Sequence, residues 1–259
     1  MRIEILYPEV CNLFGDSGNV RVLERLLPEA EVLRTPFGAA PRFLTEEVSL
    51  VYMGAMTERT QERILPLLMP HREAIQKQVE SGTVFLCTGN AFELFGTAIE
   101  NEDGSRIQCL DIFPMTAKRD RNARHNSIFL GEFEGEAVTG FKSQFSMAHT
   151  DDETNEKNGL FRVTKGVGLG RGASFEGVRY RNFFGTYLIG PLLVMNPPFA
   201  KRLLQTAGAE NIAAFYSEEA MQAYEARLQE LTAPGFEAEH APDGNALPIH
   251  LPWKKKNGA

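Results

Sequence analysis

The chain has 259 residues, of which 43% are hydrophobic and 24% charged, with a net charge of -7. That is enough for one sizeable α/β domain with a full core, and it excludes a low-complexity, disordered chain. The acidic balance argues against nucleic acid or an anionic membrane as the main partner, and no apolar run approaches the ~20 residues of a membrane-spanning helix.

Residues 2–7 read as a short buried strand, and residues 19–27 as a helix with Val20, Leu23 and Leu27 on one face. A second buried strand is expected over 48–53. Ile64, Leu65, Leu67, Leu68, Ile75 and Val79 follow at helical spacing, with Pro66 and Pro70 expected to break or bend the early part. Residues 83–88 form a third apolar strand, and a helix is expected to start near Ala91 and carry Phe92, Leu94 and Phe95. This alternation predicts a doubly wound, mostly parallel sheet with helices on both faces. Short strands over 128–133, 138–145, 161–165, 177–180 and 183–188 read as an antiparallel extension plus the last core strand. Helices are expected over 199–207 and 218–231. Residues 1–208 are taken as one domain and 209–259 as a helical extension with a loose tail, whose Lys254, Lys255 and Lys256 are a solvated charge run.

Three cysteines, Cys11, Cys87 and Cys109, show no metal-ligand spacing. With an N-terminus that lacks a basic segment ahead of a long apolar one, they predict reduced thiols and a cytoplasmic setting. His149 precedes Asp151 and Asp152, but paired carboxylates on a loop usually form a solvated face and no second histidine sits at ligand spacing, so no metal is expected. The run 166–174, GVGLGRGAS, lacks the G-x-G-x-x-G spacing and reads as a hairpin turn, so no cofactor is expected either.

Four segments in order carry a family resemblance. The first, residues 6–23, holds Tyr7, Pro8, Asn12, Gly15, Asp16, Gly18 and Asn19 in the pattern of a Tyr-Pro strand end followed by Gly-Asp-x-Gly-Asn opening a helix. The second is the turn Gly54, Ala55 and Met56 after a strand. The third is GTVFLCTGNAFELFG, residues 82–96, a strand running into a helix. The fourth, residues 181–204, contains Gly185, Thr186, Tyr187, Leu188, Ile189 and Gly190. Together they resemble the class I glutamine amidotransferases of the cobyric acid synthase type, including the glutaminase subunit of lipid II isoglutaminyl synthase, over residues 4–205. Read alone, Gly15, Gly18 and Asp16 serve a turn and a helix cap.

The resemblance implies covalent glutamine hydrolysis: a cysteine thiolate on a strand-to-helix turn attacks the side-chain amide, a histidine handles the proton, and backbone N–H groups hold the oxyanion. Aligned backward from Gly96 and forward from Gly82, the cysteine position falls on Gly89, and the histidine position falls on Ile189. In the same pocket Ala55 and Met56 stand in a glycine-rich turn, Asn90 in a glycine slot and Glu93 in a glutamine slot. No catalytic residue is therefore carried over, and the family scaffold of Tyr7, Asn12, Gly15, Asp16, Gly18, Asn19, Gly185, Thr186 and Tyr187 is retained. Cys87, two residues before the elbow, and His149 are the only candidates for residual catalysis; Cys87 reads as a buried, inert thiol. The resemblance implies either a binding subunit, with a small ligand in the former glutamine pocket or a Mur-ligase-like or other ATP-dependent synthetase as partner, or an active glutaminase feeding ammonia to such a ligase. The coordinates are expected to put Gly89 beside Ile189.

Overall fold

The computed structural model describes residues 1–213 and 218–238. In chain order the strands are β1 (Arg2–Leu6), β2 (Glu31–Thr35), β3 (Leu50–Met53), β4 (Val84–Thr88), β5 (Ala98–Glu100), β6 (Arg106–Gln108), β7 (Thr116–Arg119), β8 (His125–Phe133), β9 (Glu136–Gln144), β10 (Ser146–His149), β11 (Gly159–Lys165), β12 (Phe175–Tyr180) and β13 (Phe183–Thr186). The α-helices are α1 (Ser17–Leu26), α2 (Glu58–Leu68), α3 (Arg72–Ser81), α4 (Asp152–Asn158), α5 (Leu192–Met195), α6 (Pro197–Thr206) and α7 (Glu218–Thr232).

Nine strands form one mixed sheet in the order β2-β1-β3-β4-β13-β12-β11-β8-β9. The first five run parallel, and the four from β12 outward continue antiparallel. Every residue of β3 and β4 is buried, as expected of central parallel strands covered on both faces. One face is covered by α1, α5 and α6 through Val22, Leu23, Leu26, Leu192, Phe199 and Leu203. The other is covered by α2 and α3 through Ile64, Leu65, Leu68, Ile75 and Val79. Beside these lies a small second sheet, β10-β7-β5-β6.

Local chemistry sets the boundaries. Pro70, in a 3-10 turn over Met69–His71, separates α2 from α3, whereas Pro66 sits inside α2 near its end. The α3 helix stops at Gly82, whose φ of +102° suits a left-handed cap. Pro197 occupies the first turn of α6, where a missing N–H costs nothing.

Three sequence expectations are corrected. The helix expected near Ala91 is a 3-10 helix over Gly89–Phe95; its side chains from Ala91 to Phe95 are all buried, so no polar face lets it extend as an amphipathic helix. Asp151 and Asp152 do not lie on a loop. Asp151 caps α4 by accepting the Thr154 N–H at 2.7 Å, and Asp152 stands in its acidic first turn. The strands β2, β5, β6, β7 and β10 went unread, because three to five residues with mixed exposure carry little periodicity.

The edge strand β9 is covered. Asn196 bonds both the N–H and the C=O of Thr139, and the Ile189 N–H donates to the Phe141 carbonyl at 3.0 Å. The α7 helix lies across the same edge, where the Tyr224 hydroxyl donates to the Ala137 carbonyl at 2.7 Å. Tyr224 and Leu231 are the buried members of the α7 stripe. Unpaired strand edges invite association, and these contacts cover the middle of this one. Residues Lys254, Lys255 and Lys256 lie outside the described residues.

Candidate functional site

The site lies at the carboxyl ends of β1, β3, β4 and β13, where open α/β sheets gather their ligands. After β1 the chain makes a tight turn at Tyr7, whose hydroxyl donates to the Ala39 carbonyl, and the Asn12 side chain closes the turn on the Pro8 carbonyl at 3.2 Å. Phe14 and Gly15 both take positive φ, which places Asp16 beneath the loop.

Asp16 is fully buried and does not cap α1 through its side chain. Its Oδ2 instead accepts the Ala55 N–H and the Thr88 hydroxyl, both at 2.7 Å. Asn19 donates to Asp16 and to the Tyr52 hydroxyl, and accepts the Leu193 N–H at 2.8 Å. One carboxylate thus joins the first loop to the turn after β3 and the end of β4, and Asn19 carries the network on to the segment after β13. Burial pushes the Asp16 carboxyl up to about 6 despite these donors. Two glycines are packing requirements of this junction. A Cβ on Gly18 would meet Pro191 Cγ at 2.6 Å, and one on Gly54 would meet the Cys11 carbonyl oxygen at 2.4 Å.

The strand-to-helix elbow keeps a tight form. Gly89 follows β4 with φ of +59°, the left-handed conformation of a sharp turn. A Cβ built there would lie 2.4 Å from the Ala55 Cβ and 3.5 Å from the Ile189 Cγ2. The structure therefore brings positions 55, 89 and 189 together, and the Ala55 methyl fills the space that any side chain on residue 89 would enter. Ile189 is itself buried and bridged to Phe141. Two N–H groups of the turn are committed: Ala55 donates to Asp16, and Met56 donates to Asn90 Oδ1 at 3.0 Å.

Glu93 lies behind this floor, fully buried. It accepts from Gln61 Nε2 at 2.8 Å, from the Tyr187 hydroxyl at 2.7 Å and from the Ser146 hydroxyl. Arg119 supports it from the second sheet by bonding Gln61 Oε1 at 2.6 Å. Burial raises the Glu93 carboxyl pKa against these partners. A second buried pair, Lys142 and Glu176, holds the next segment. Glu176 accepts the Thr186 hydroxyl and the Tyr187 N–H, while Lys142 donates to the Gly168 carbonyl at 2.6 Å and so anchors the 166–174 hairpin loop. Gly185 packs against Phe92, where a Cβ would approach to 2.6 Å.

Sequence reasoning missed Arg119, Gln61, Ser146, Lys142 and Glu176. One signal was present: in β9 the alternation is inverted, with Phe141 more than a third exposed and Lys142 buried. A lysine at an inward strand position needs a partner.

The other candidates stand apart from the floor. Cys87 is fully buried in β4, and burial holds its thiol well above the ordinary range; Cys11 and Cys109 are pushed up to about 12. A reactive cysteine has the opposite shift. His149 is exposed at the end of β10, and among the described residues no three His, Cys, Asp or Glu side chains converge as metal ligands. No helix among the described residues is long and apolar enough to cross a membrane.

What remains open is a cleft of about 120 Å³ above Gly89 and Ile189, bounded by Leu13, Phe14, Glu58 and Arg124. Comparisons with known proteins agree with the architecture. Residues 2–197 match the family described as the CobB/CobQ-like glutamine amidotransferase domain. The chain is 26% identical over 215 residues to the lipid II isoglutaminyl synthase (glutamine-hydrolyzing) subunit GatD of Streptococcus pneumoniae, covering 80% of each chain. To the GatD subunit of Staphylococcus aureus it is 23% identical over 198 residues, covering 76% of this chain and 79% of the relative. A crystal structure of a glutamine amidotransferase superposes with a TM-score of 0.54 at 15% identity, covering 80% of this chain and 99% of the other, which is a likeness of fold.

Proposed function

The chain belongs to the CobB/CobQ-like glutamine amidotransferase family, and from that premise we propose that it has kept the domain and given up glutamine hydrolysis, serving as a non-catalytic binding subunit. The observation that carries this reading is the Ala55 methyl lying 2.4 Å from where a Cβ on residue 89 would stand. Hydrolysis of the amide needs a nucleophile, a proton carrier and free oxyanion donors. Gly89 supplies no nucleophile, Ile189 carries no proton, and the N–H groups of Ala55 and Met56 are already bonded to Asp16 and Asn90. Loss of any single catalytic member in a comparable covalent site leaves only a weak residual rate.

The retained junction of Asp16, Asn19, Thr186 and Tyr187 then serves to hold the crevice and the adjoining surface in shape. In this reading residues 1–208 are the amidotransferase-like domain and the remainder is an appended extension. Its partner is an ATP-dependent synthetase of the Mur-ligase-like kind, since the similar GatD proteins are themselves subunits of a synthase. The same relatives are glutamine-hydrolyzing, which favours the second reading of an active glutaminase supplying ammonia to such a ligase. That reading requires a nucleophile from elsewhere, and Cys87 is the cysteine nearest the elbow in sequence.

The test is ammonia and glutamate release from glutamine by the purified wild type and by Cys87→Ser, alone and with any co-purifying synthetase. No turnover in either protein is expected. Turnover in the wild type that disappears in Cys87→Ser would establish the active reading.

A further inference from the structure

Among the described residues few large apolar side chains are more than a third exposed, and three that are, Leu13, Phe14 and Phe141, stand around the mouth of the cleft. Leu13 and Phe14 form one wall. Phe141 flanks the other: it is bridged to Ile189 and shares a face of β9 with Ser143, both of which line the cleft. Ile128 lies directly opposite Phe141 in the β8–β9 register, so the two side chains stand side by side on that face, and Ile128 is itself only half-buried. Exposed apolar side chains gathered in one place mark a contact surface.

The last described residues lead the chain to this surface. The Lys165 ammonium lies over the Phe236 ring at 5.5 Å, and Lys165 is paired with Leu130. Two residues after Phe236, the Ala238 carbonyl accepts the Ile128 N–H at 2.8 Å. Passing from Leu130 to Ile128, the chain heads toward the start of β8, where Arg124 bounds the cleft. Arg124 stands four residues before Ile128, about 13 Å along a strand. Residues 239–259 lie outside the described residues, and their sequence suits an apolar surface. Residues 247–253 read Leu-Pro-Ile-His-Leu-Pro-Trp and hold the single tryptophan of the chain. Leu247 comes nine residues after Ala238, a reach of up to ~30 Å. Pro248 and Pro252 favour extended backbone and bring no N–H that would need a partner.

We propose that residues 247–253 dock in cis across the mouth of the cleft, with Leu247, Ile249, Leu251 and Trp253 on the apolar rim of Ile128, Phe141, Leu13 and Phe14. Removal of both apolar faces from water drives the contact. The lysines that follow, Lys254, Lys255 and Lys256, meet a chain whose net charge is -7. A partner approaching this mouth first displaces the segment. The proposal concerns the rim and not the floor, so it stands apart from the question of hydrolysis.

Trp253, as the single tryptophan, is the reporter. The experiment measures its fluorescence emission and its quenching by acrylamide in the full chain, over a wide range of protein concentration, beside N-acetyltryptophanamide. Emission to the blue of the free amide, and quenching several-fold slower, are expected at every concentration. Phe141→Thr and Phe14→Asn, chosen to suit a strand and a left-handed backbone respectively, should each move both readings toward the free amide. Arg106→Ala, on the second sheet, should change neither. All three side chains are exposed, and an unchanged thermal midpoint will show that the variants fold. Quenching as fast as that of the free amide would overturn the proposal. So would protection that neither rim substitution relieves, which puts the segment elsewhere, and protection lost on dilution, which gives the face to a second copy of the chain. Glutamate formed from glutamine in the same samples would defeat the non-catalytic reading and leave this result as it stands.

Discussion

The methyl group of Ala55 fixes what residue 89 can be. With Gly89 at φ +59° and its missing Cβ directed at Ala55, a side chain at 89 meets both a strained backbone and a collision. Gly89→Cys alone is expected to destabilise the fold by about 1–3 kcal/mol, the usual cost of overpacking a closed site. Adding Ala55→Gly should recover the steric part of that loss. Urea unfolding of the two single variants and the double variant measures the coupling, and strict additivity would contradict the collision. Asp16 gives a second prediction at this scale. Its carboxyl is raised to about 6 by burial, so the folded state holds a proton that the unfolded chain releases near ~3.9. The stability this contributes is fully present below the unfolded value and is lost as pH rises through 6. Glu93 and Glu176, also raised by burial, act in the same direction. The thermal midpoint should therefore be higher at pH 5 than at pH 7.5, and Asp16→Asn should flatten that slope. A midpoint that climbs between pH 5 and 7.5 would show that burial of these carboxyls is offset elsewhere. In the sequence, Gly89 and Ile189 could be found because flanking motifs fixed their positions. Arg119, Gln61 and Ser146 could not, because the Glu93 network joins residues 32 to 94 positions apart.

Among the elements, legibility followed length and burial. The all-buried β4 and the long α7 are plain in the sequence, since four or more apolar residues in a row or a stripe over fifteen leave a strong pattern. The second sheet is not, because β5 and β6 have three residues each, too few for either to show a period. The elbow helix begins at Gly89, two residues ahead of the expected start near Ala91, and its kind is not legible, because burial on all sides erases the periodicity that distinguishes an α-helix from a tighter one. The covering of β9 makes its own prediction. Asn196 satisfies both backbone groups of Thr139, so Asn196→Ala leaves two buried polar groups unpaired, each worth about 1–3 kcal/mol. Chemical denaturation should register a loss of that order, and amide exchange at Thr139 should accelerate. Loss of stability without faster exchange there would mean that Asn196 acts through packing alone.

For the whole molecule, the family's domain is retained, and on the reading proposed above the region that would do its chemistry has lost its nucleophile and its proton carrier. Ala55 and Ile189 form the floor, Asp16 and Asn90 take the N–H groups of Ala55 and Met56, and the cysteines lie buried with raised pKa values. Fold alone does not transmit activity; the site decides it. The most direct measurement is intact-mass spectrometry of the full chain after incubation with a diazoketone analogue of glutamine, which alkylates the nucleophilic thiol of a working glutaminase. The account predicts an unmodified mass at concentrations that label an active relative completely. A single stoichiometric adduct, mapped to Cys87 and prevented by excess glutamine, would contradict it.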